Sequence, residues 1–407
     1  MRITKFNCVG VAIGALAFAA FALTLSSRAD EKGPGKADPK APPAAATIQQ
    51  TPAPAEIYEI DGKKIQNWID DTRSEDPSVR ERAIRAIVHF GPGATKAVPY
   101  LVDRCTDPEA SPRLRAVMAL TVVDIRDSDR NKVIDALAKR LEVNAVTKQF
   151  EDPQGIVRYH AAVALNRFGE EAKSAIPGLI NAVGDRSSFE TRKAAIAALR
   201  QIARDAKNGP DSRATHAILE RIVPGVEPAA DVRLEAILSL GYMGRPADKG
   251  LLTKVEGALK TCAQGQHKPI AIWAIVSQMA LGEITKEQLD KIAKFVTTTD
   301  VDTRIHAARA LGSVGPKARP YVGLLIEMLN DKDFDIYAAG CVSLMSMGEP
   351  GEDAVKALTK IADATDETDA RFIPERKAVA KAALEGIKNY DKNKEKALEK
   401  KDDKNGK

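Results

Sequence analysis

Between residues 62 and 389 the apolar positions recur with a helical period, and the same small pattern returns again and again. Taking Arg80 as an anchor, the preceding Val79 is followed by Ala83, Ala86, Ile87 and Gly91 at fixed offsets. The spacing repeats at Arg158 with Ala161, Ala164, Leu165 and Gly169, at Arg192 with Ala195, Ala198 and Leu199, at Arg233 with Ala236, Ser239, Leu240 and Gly244, and at Arg304 with Ala307, Ala310, Leu311 and Gly315. Degenerate copies start at Arg113, Ala271, Tyr337 and Lys377. The nine anchors lie 33, 45, 34, 41, 38, 33, 33 and 40 residues apart, an interval that signals stacked repeats. Offsets −1, +3, +4, +6, +7 and +10 share one face of a 3.6-residue helix. Alanine at +3 and +6 allows close helix approach, and glycine at +11 suits the left-handed residue that ends a helix. Asp76-Pro77, Asp152-Pro153, Asp231 and Asp300 supply N-cap oxygens, with Pro77 and Pro153 fit for the first helical position.

A second helix is predicted between anchors, around Ala97–Val102, Ala175–Ile180 and Arg319–Leu325, with Ile65–Ile69 as its first copy. The unit is then helix A, a short turn bearing Asp, and helix B bearing Val-Arg. In this Asp-x-x-Val-Arg-x-x-Ala-x-x-Ala-Leu form the chain resembles the HEAT-repeat family, in its short bacterial, PBS-lyase-like version. The resemblance implies an all-α fold, an α-solenoid superhelix of about nine HEAT-type helix pairs, spanning residues 57–389. No alternating β-branched runs and no Asn-Gly turns point to strands. An aromatic content of only 5% agrees with a stack of alanine-rich helices, each contacting only its neighbours.

The flanks read differently. Arg2 and Lys5 precede an uncharged apolar run, Cys8–Leu25, and Ser27-Arg28-Ala29 offers small residues for cleavage before Asp30. Residues 1–29 are therefore expected to be a signal peptide, with an uncleaved membrane anchor as the alternative. Either way the repeats are expected outside the cytoplasm, periplasmic or extracellular. Residues 30–56 are Pro/Ala-rich and read as a disordered linker, and 390–407 as a charged, Lys-rich, solvated tail. Of four cysteines, Cys8 lies in the signal segment; Cys105, Cys262 and Cys341 sit in distant repeats and read as small buried hydrophobes.

Catalytic motifs are missing. The chain has no Cys-x-x-Cys, His-Glu-x-x-His, Gly-Lys-Ser/Thr or Gly-x-Ser-x-Gly, and no His-Glu dipeptide of the kind used by the di-iron member of the HEAT-like family. No enzyme activity, cofactor or metal is expected; a lyase-type enzyme with an unrecognised site is the alternative. The five histidines are spread along the repeats, too far apart to share one ion, and read as surface residues.

The resemblance places helix B on the concave side. The exposed offsets there carry Arg82, Arg85 and His89, then Tyr159, His160 and Arg167, then Lys193 and Arg200, and later His306 and Arg309. These are the candidate partner-binding residues. The ridge is basic in its N-terminal half, so the expected partner is a protein or peptide, acidic if electrostatics steer it, or otherwise an anionic polymer. Nucleic acid is not expected outside the cytoplasm, and membrane contact only if the N-terminal segment stays uncleaved. Arg80, Arg158, Arg192, Arg233 and Arg304 are read instead as structural, forming an inter-repeat ladder with the turn aspartates. The chain is thus expected to be a non-catalytic binding scaffold.

Overall fold

A computed structural model describes residues 59–205, 207–364 and 373–405. The expected signal segment (1–29) and linker (30–56) lie outside the described residues. Contacts divide the chain into two compact units that meet at residues 218 and 219.

The first unit opens with a two-stranded antiparallel hairpin, β1 (Glu59–Ile60) and β2 (Lys63–Lys64). This corrects the strand-free expectation. Asp61 and Gly62 both hold positive φ, +50° and +71°, as a two-residue primed turn requires. Asp-Gly serves that turn as well as Asn-Gly does. The helices follow in A/B pairs: α1 (Ile65–Asp71) with α2 (Pro77–Val88), α3 (Val98–Arg104) with α4 (Ala110–Ala119), α5 (Asp127–Lys139) with α6 (Gly155–Asn166), and α7 (Ile176–Val183) with α8 (Phe189–Ile202). Helix α9 (Ser212–Glu220) reaches the boundary. The hairpin closes the open end of the stack, where Trp68 is buried and donates from Nε1 to the Ile60 carbonyl at 3.2 Å.

In the second unit, α10 (Ala230–Met243) is followed by the pairs α11 (Lys249–Ala263) and α12 (Lys268–Leu281), α13 (Lys286–Val296) and α14 (Val301–Val314), α15 (Val322–Met328) and α16 (Phe334–Ser346), and α17 (Glu352–Ala362) and α18 (Pro374–Asn405). Among the described residues, the nine anchors fall on nine separate helices, Arg233 on α10 and the other eight each on the B member of a pair. In both units successive B helices pack closely on one another, while successive A helices touch little. Closer spacing on one side places the B layer on the inner face of each unit.

The repeat pattern explains the packing. Ala83, Ile84, Ala86 and Ile87 are fully or nearly fully buried, as are Ala161, Ala164 and Leu165. Gly91, Gly169, Gly244, Gly315 and Gly348 all hold positive φ at the B-helix ends. Small residues at +6 matter most where the facing residue is glycine. A Cβ on Gly241 of α10 would stand 2.7 Å from Ser277 Oγ on α12, and one on Gly312 of α14 would stand 2.7 Å from the Ser343 carbonyl oxygen on α16.

Several expected caps move. Asp76 and Asp300 cap as expected, accepting from the Ser78 and Thr303 amides. Pro153 precedes the helix, whose N-cap is Gln154, and Asp231 lies inside α10. The long interval before Arg158 is filled by a loop with a Val143–Phe150 bridge and Lys148 at φ +57°. At the C-terminus, α18 continues to Asn405, so the charged segment from residue 390 is helical rather than a solvated coil. From Ile387 to Asn405 it contains no glycine or proline and is rich in strong helix formers. Of the described helices, none is long and apolar enough to cross a membrane.

Candidate functional site

The inner face is held in register by the anchor arginines. Arg80 donates from Nε and Nη2 to the two oxygens of Asp107, both at 2.7 Å, and from Nη1 to the carbonyls of Ser74 and Glu75. Arg80 thus bonds its own preceding turn through backbone carbonyls and reaches the carboxylate of the following repeat. Arg158 repeats this with Asp185 and the Asp152 carbonyl, and Arg304 pairs with Asp331 at 2.9 Å. Arg113, degenerate by the repeat pattern, is a full member through Asp152 at 2.8 Å. The same carboxylates accept from the turn amides of Glu109, Gln154 and Ser187. Burial would raise the Asp107 carboxyl, but the hydrogen bonds from Arg80 and the Glu109 amide bring it below its ordinary value.

Arg192 and Arg233 bond their own turns, at the Asp185 and Glu227 carbonyls. The turn between α11 and α12 ends in His267, which caps α12 instead of offering a carboxylate, and α12 carries Ala271 at its anchor. At the far end Tyr337 occupies the anchor and donates to the Arg376 carbonyl at 2.6 Å. Arg376, one residue before Lys377, supplies the buried guanidinium, stacked on the Tyr337 ring and bonded to the Lys332 carbonyl.

The candidate binding residues divide between the two units. In the first, Arg82, Arg85 and His89 are exposed on α2. Tyr159 and His160 are half-buried on α6, edge to face with centroids 4.9 Å apart, and burial lowers the His160 pKa. Lys193 is exposed and Arg200 half-buried on α8. Arg167 is exposed just past the end of α6, and its Nη1 donates to the Leu120 carbonyl at 2.9 Å, at the C-terminal end of α4. Helix α4 adds residues that its degenerate repeat concealed. Leu114, Arg115 and Met118 are half-exposed in the inner row, and Arg115 bonds Glu81 at 3.0 Å while Ser111 donates to the same carboxylate. Those two hydrogen bonds, Ser111 first, hold Glu81 below its ordinary pKa.

In the second unit, His306 and Arg309 are half-buried rather than surface residues. Trp273 donates from Nε1 to His306 Nδ1 at 2.9 Å, which makes Nδ1 the unprotonated nitrogen and leaves the proton on Nε2, 3.5 Å from Asp302. Burial, with Arg309 and His267 nearby, lowers the His306 pKa against the opposing pull of Asp302. Burial likewise lowers Arg309, opposed by Asp335 and Asp302.

Cys105 and Cys341 are buried, and burial pushes each thiol up to about 12. Cys262 is half-buried and also raised by burial. Among the described residues no three His, Cys, Asp or Glu side chains stand close enough to hold a metal ion. An open cleft of about 520 Å³ lies at the C-terminal end, between Arg319, the Gly348–Glu352 turn and Ile387 of α18.

This recurring A/B pair with its inter-repeat arginine agrees with the family comparison, in which HEAT repeats match residues 65–149 and 289–373. The chain carries HEAT repeats. Among solved structures, an engineered protein is similar to this HEAT-repeat chain at 21% identity, covering 81% of this chain and 89% of its own, with a TM-score of 0.41. The Escherichia coli protein YibA is similar at 13% identity, covering 79% and 92%, with a TM-score of 0.38. Importin beta is similar at 14% identity, covering 79% and 46%, with a TM-score of 0.43. The HEAT-repeat chain spans less than half the length of the importin beta and Kap121p chains it matches. No curated protein matches it in sequence.

Proposed function

We propose that this HEAT-repeat protein is a non-catalytic scaffold that acts outside the cytoplasm and binds a protein or peptide along the inner face of its B helices. The observation that carries the reading is the division of labour on those helices. Buried Arg–Asp pairs fix the stack, and the positions between them present a different row of side chains in each repeat. Helical-repeat proteins use such surfaces for binding. The first unit's inner face is basic, with Arg82 and Arg85 exposed and Glu81 already bonded to Arg115, which favours an acidic partner.

Among the described residues, the ionisable groups do not converge as a catalytic centre requires. His306 has Nδ1 occupied by Trp273, and the buried thiols of Cys105 and Cys341 stay protonated at neutral pH. Export rests on the charged, apolar and small-residue order of residues 1–29. A mature protein beginning at Asp30, found by N-terminal sequencing of the cell-envelope and secreted fractions, supports it; recovery only in the cytoplasm contradicts it.

The binding reading is tested by affinity capture from native envelope extract with the wild type and with Arg82→Ser/Arg85→Ser. Partners retained by the wild type and lost by the variant support it. Equal recovery contradicts it, and capture of polysaccharide or lipid in place of protein favours the anionic-polymer alternative.

A further inference from the structure

Within the first unit the inner face is not uniformly basic. Ile156, at the first turn of α6, is 49% exposed, and Val163, two helical turns further on, is half-exposed on the same side. Met118, which holds on the adjacent α4 the repeat position that Val163 holds on α6, is also half-exposed. The stacking does not need these side chains, because α6 already buries Val157, Ala161, Ala162, Ala164 and Leu165. On one side of the apolar strip lies the exposed Arg82 and Arg85 pair of α2, and on the other the exposed Lys193 of α8.

We infer that this strip is a docking groove for an amphipathic helix with an apolar centre and acidic ends. The inference rests on the scaffold reading and narrows its partner. Charge decides the ends of the occupant. Exposed cations stand on both flanks, Arg82 and Arg85 on α2 and Lys193 on α8, and Glu81, the inner-face carboxylate of α2, is paired with Arg115 and accepts from Ser111. Width decides its conformation. The seven steps from Ile156 to Val163 span roughly 10 Å at 1.5 Å per residue, which matches the ~10–12 Å diameter of a helix with its side chains. A single extended strand, about 5 Å from its neighbour in a sheet, would leave half of that strip uncovered. Length follows from the repeat. Three interaxial steps of roughly 8–10 Å separate α2 from α8. A helix of about 18 residues crosses them, placing anchors at i, i+3, i+4 and i+7 over α4 and α6.

The test uses the full chain and three fluorescein-labelled synthetic 18-residue peptides, read by fluorescence anisotropy. The first has leucines at helical spacing and glutamates elsewhere, the second replaces every glutamate with lysine, and the third scrambles the first. The acidic amphipathic peptide is expected to bind at least about tenfold more tightly than either control. Met118→Gln/Val163→Gln and Arg82→Ser/Arg85→Ser should each weaken it by about tenfold, while Asp135→Asn on the outer helix α5 should leave it unchanged. Circular dichroism establishes that each variant keeps its helix content. The inference is overturned if the lysine or scrambled peptide binds equally, if the folded groove variants bind like the wild type, or if no peptide binds. Should the peptides fail while protein capture still depends on Arg82 and Arg85, the groove inference falls and the scaffold reading stands. If both fail, both fall.

Discussion

Arg158 donates from Nε to the Asp185 carboxylate of the next repeat at 2.8 Å, and from Nη2 to Ser187 Oγ at 2.6 Å, with its guanidinium plane 4.3 Å from the centre of the Phe150 ring. Every face of the group is used. Both Arg158→Ala and Arg158→Lys should therefore lower the thermal midpoint, because an ammonium cannot span two acceptors in one plane. Losing one partner of a buried pair costs about 3–5 kcal/mol. Chemical denaturation of the two variants checks this, and a lysine variant as stable as the wild type would show that only the charge matters.

The ladder also sets an acid limit. The Asp107 carboxyl titrates below its ordinary range when folded, so the unfolded chain binds its proton at higher pH. Stability from the Arg80–Asp107 pair is then complete above the ordinary carboxylate pKa, about 4, and is lost as pH falls through the lower folded value. Asp107→Asn should be less stable than the wild type at neutral pH, with the difference shrinking as pH falls below the ordinary carboxylate range. Urea unfolding at several pH values measures it.

Where Gly312 meets Ser343, the α14 and α16 backbones leave no room for a methyl group. Gly312→Ala should destabilise the second unit by about 1–3 kcal/mol despite alanine's better helix propensity. Gly257→Ala, at an open position on α11, is the control expected to be neutral or stabilising.

His306 gives the second unit a pH response. Its folded pKa lies below the usual value, so the neutral, Trp273-bonded form is favoured near pH 7, and that stability is lost as pH falls from the usual value through the folded one. Protonation places a hydrogen on Nδ1 and breaks the bond from Trp273. The charged groups facing the ring are Asp302 and Arg309 on its own helix and His267 on the neighbouring turn. In a Trp68→Phe background, where Trp273 is the remaining tryptophan, fluorescence should titrate with a midpoint below 6.5. His306→Gln should abolish that transition; a transition that persists assigns it to another group.

Much of this architecture is visible in the sequence because the repeat forces it. Alanine at +3 and +6 and glycine at +11 are local demands of each B helix, so periodicity exposes all nine anchors. The ladder's direction is not local. Arg80, Arg158 and Arg304 each pair with an Asp 27 residues downstream, while Arg113 pairs 39 residues downstream across the Val143–Phe150 loop. The repeated interval of 27 is the signal that would have revealed it. The site was less legible, because exposure depends on neighbouring repeats. His306 sits at an outward offset yet is half-buried, with Trp273 bonded to its Nδ1. Met118 lay in a copy too degenerate to be read as part of the ridge. After residue 390 the charge density points to a solvated coil, but the unbroken run of helix formers carries α18 on to Asn405.

Binding along the inner face is tested most directly by photocrosslinking in intact native cells. A photoreactive amino acid placed at Met118 on the inner face is compared with one at Asp135 on the outer α5. The account predicts a discrete protein adduct from position 118 that disappears in Arg82→Ser/Arg85→Ser, and none from position 135. Adducts of equal yield from both positions, or from position 135 alone, would contradict it.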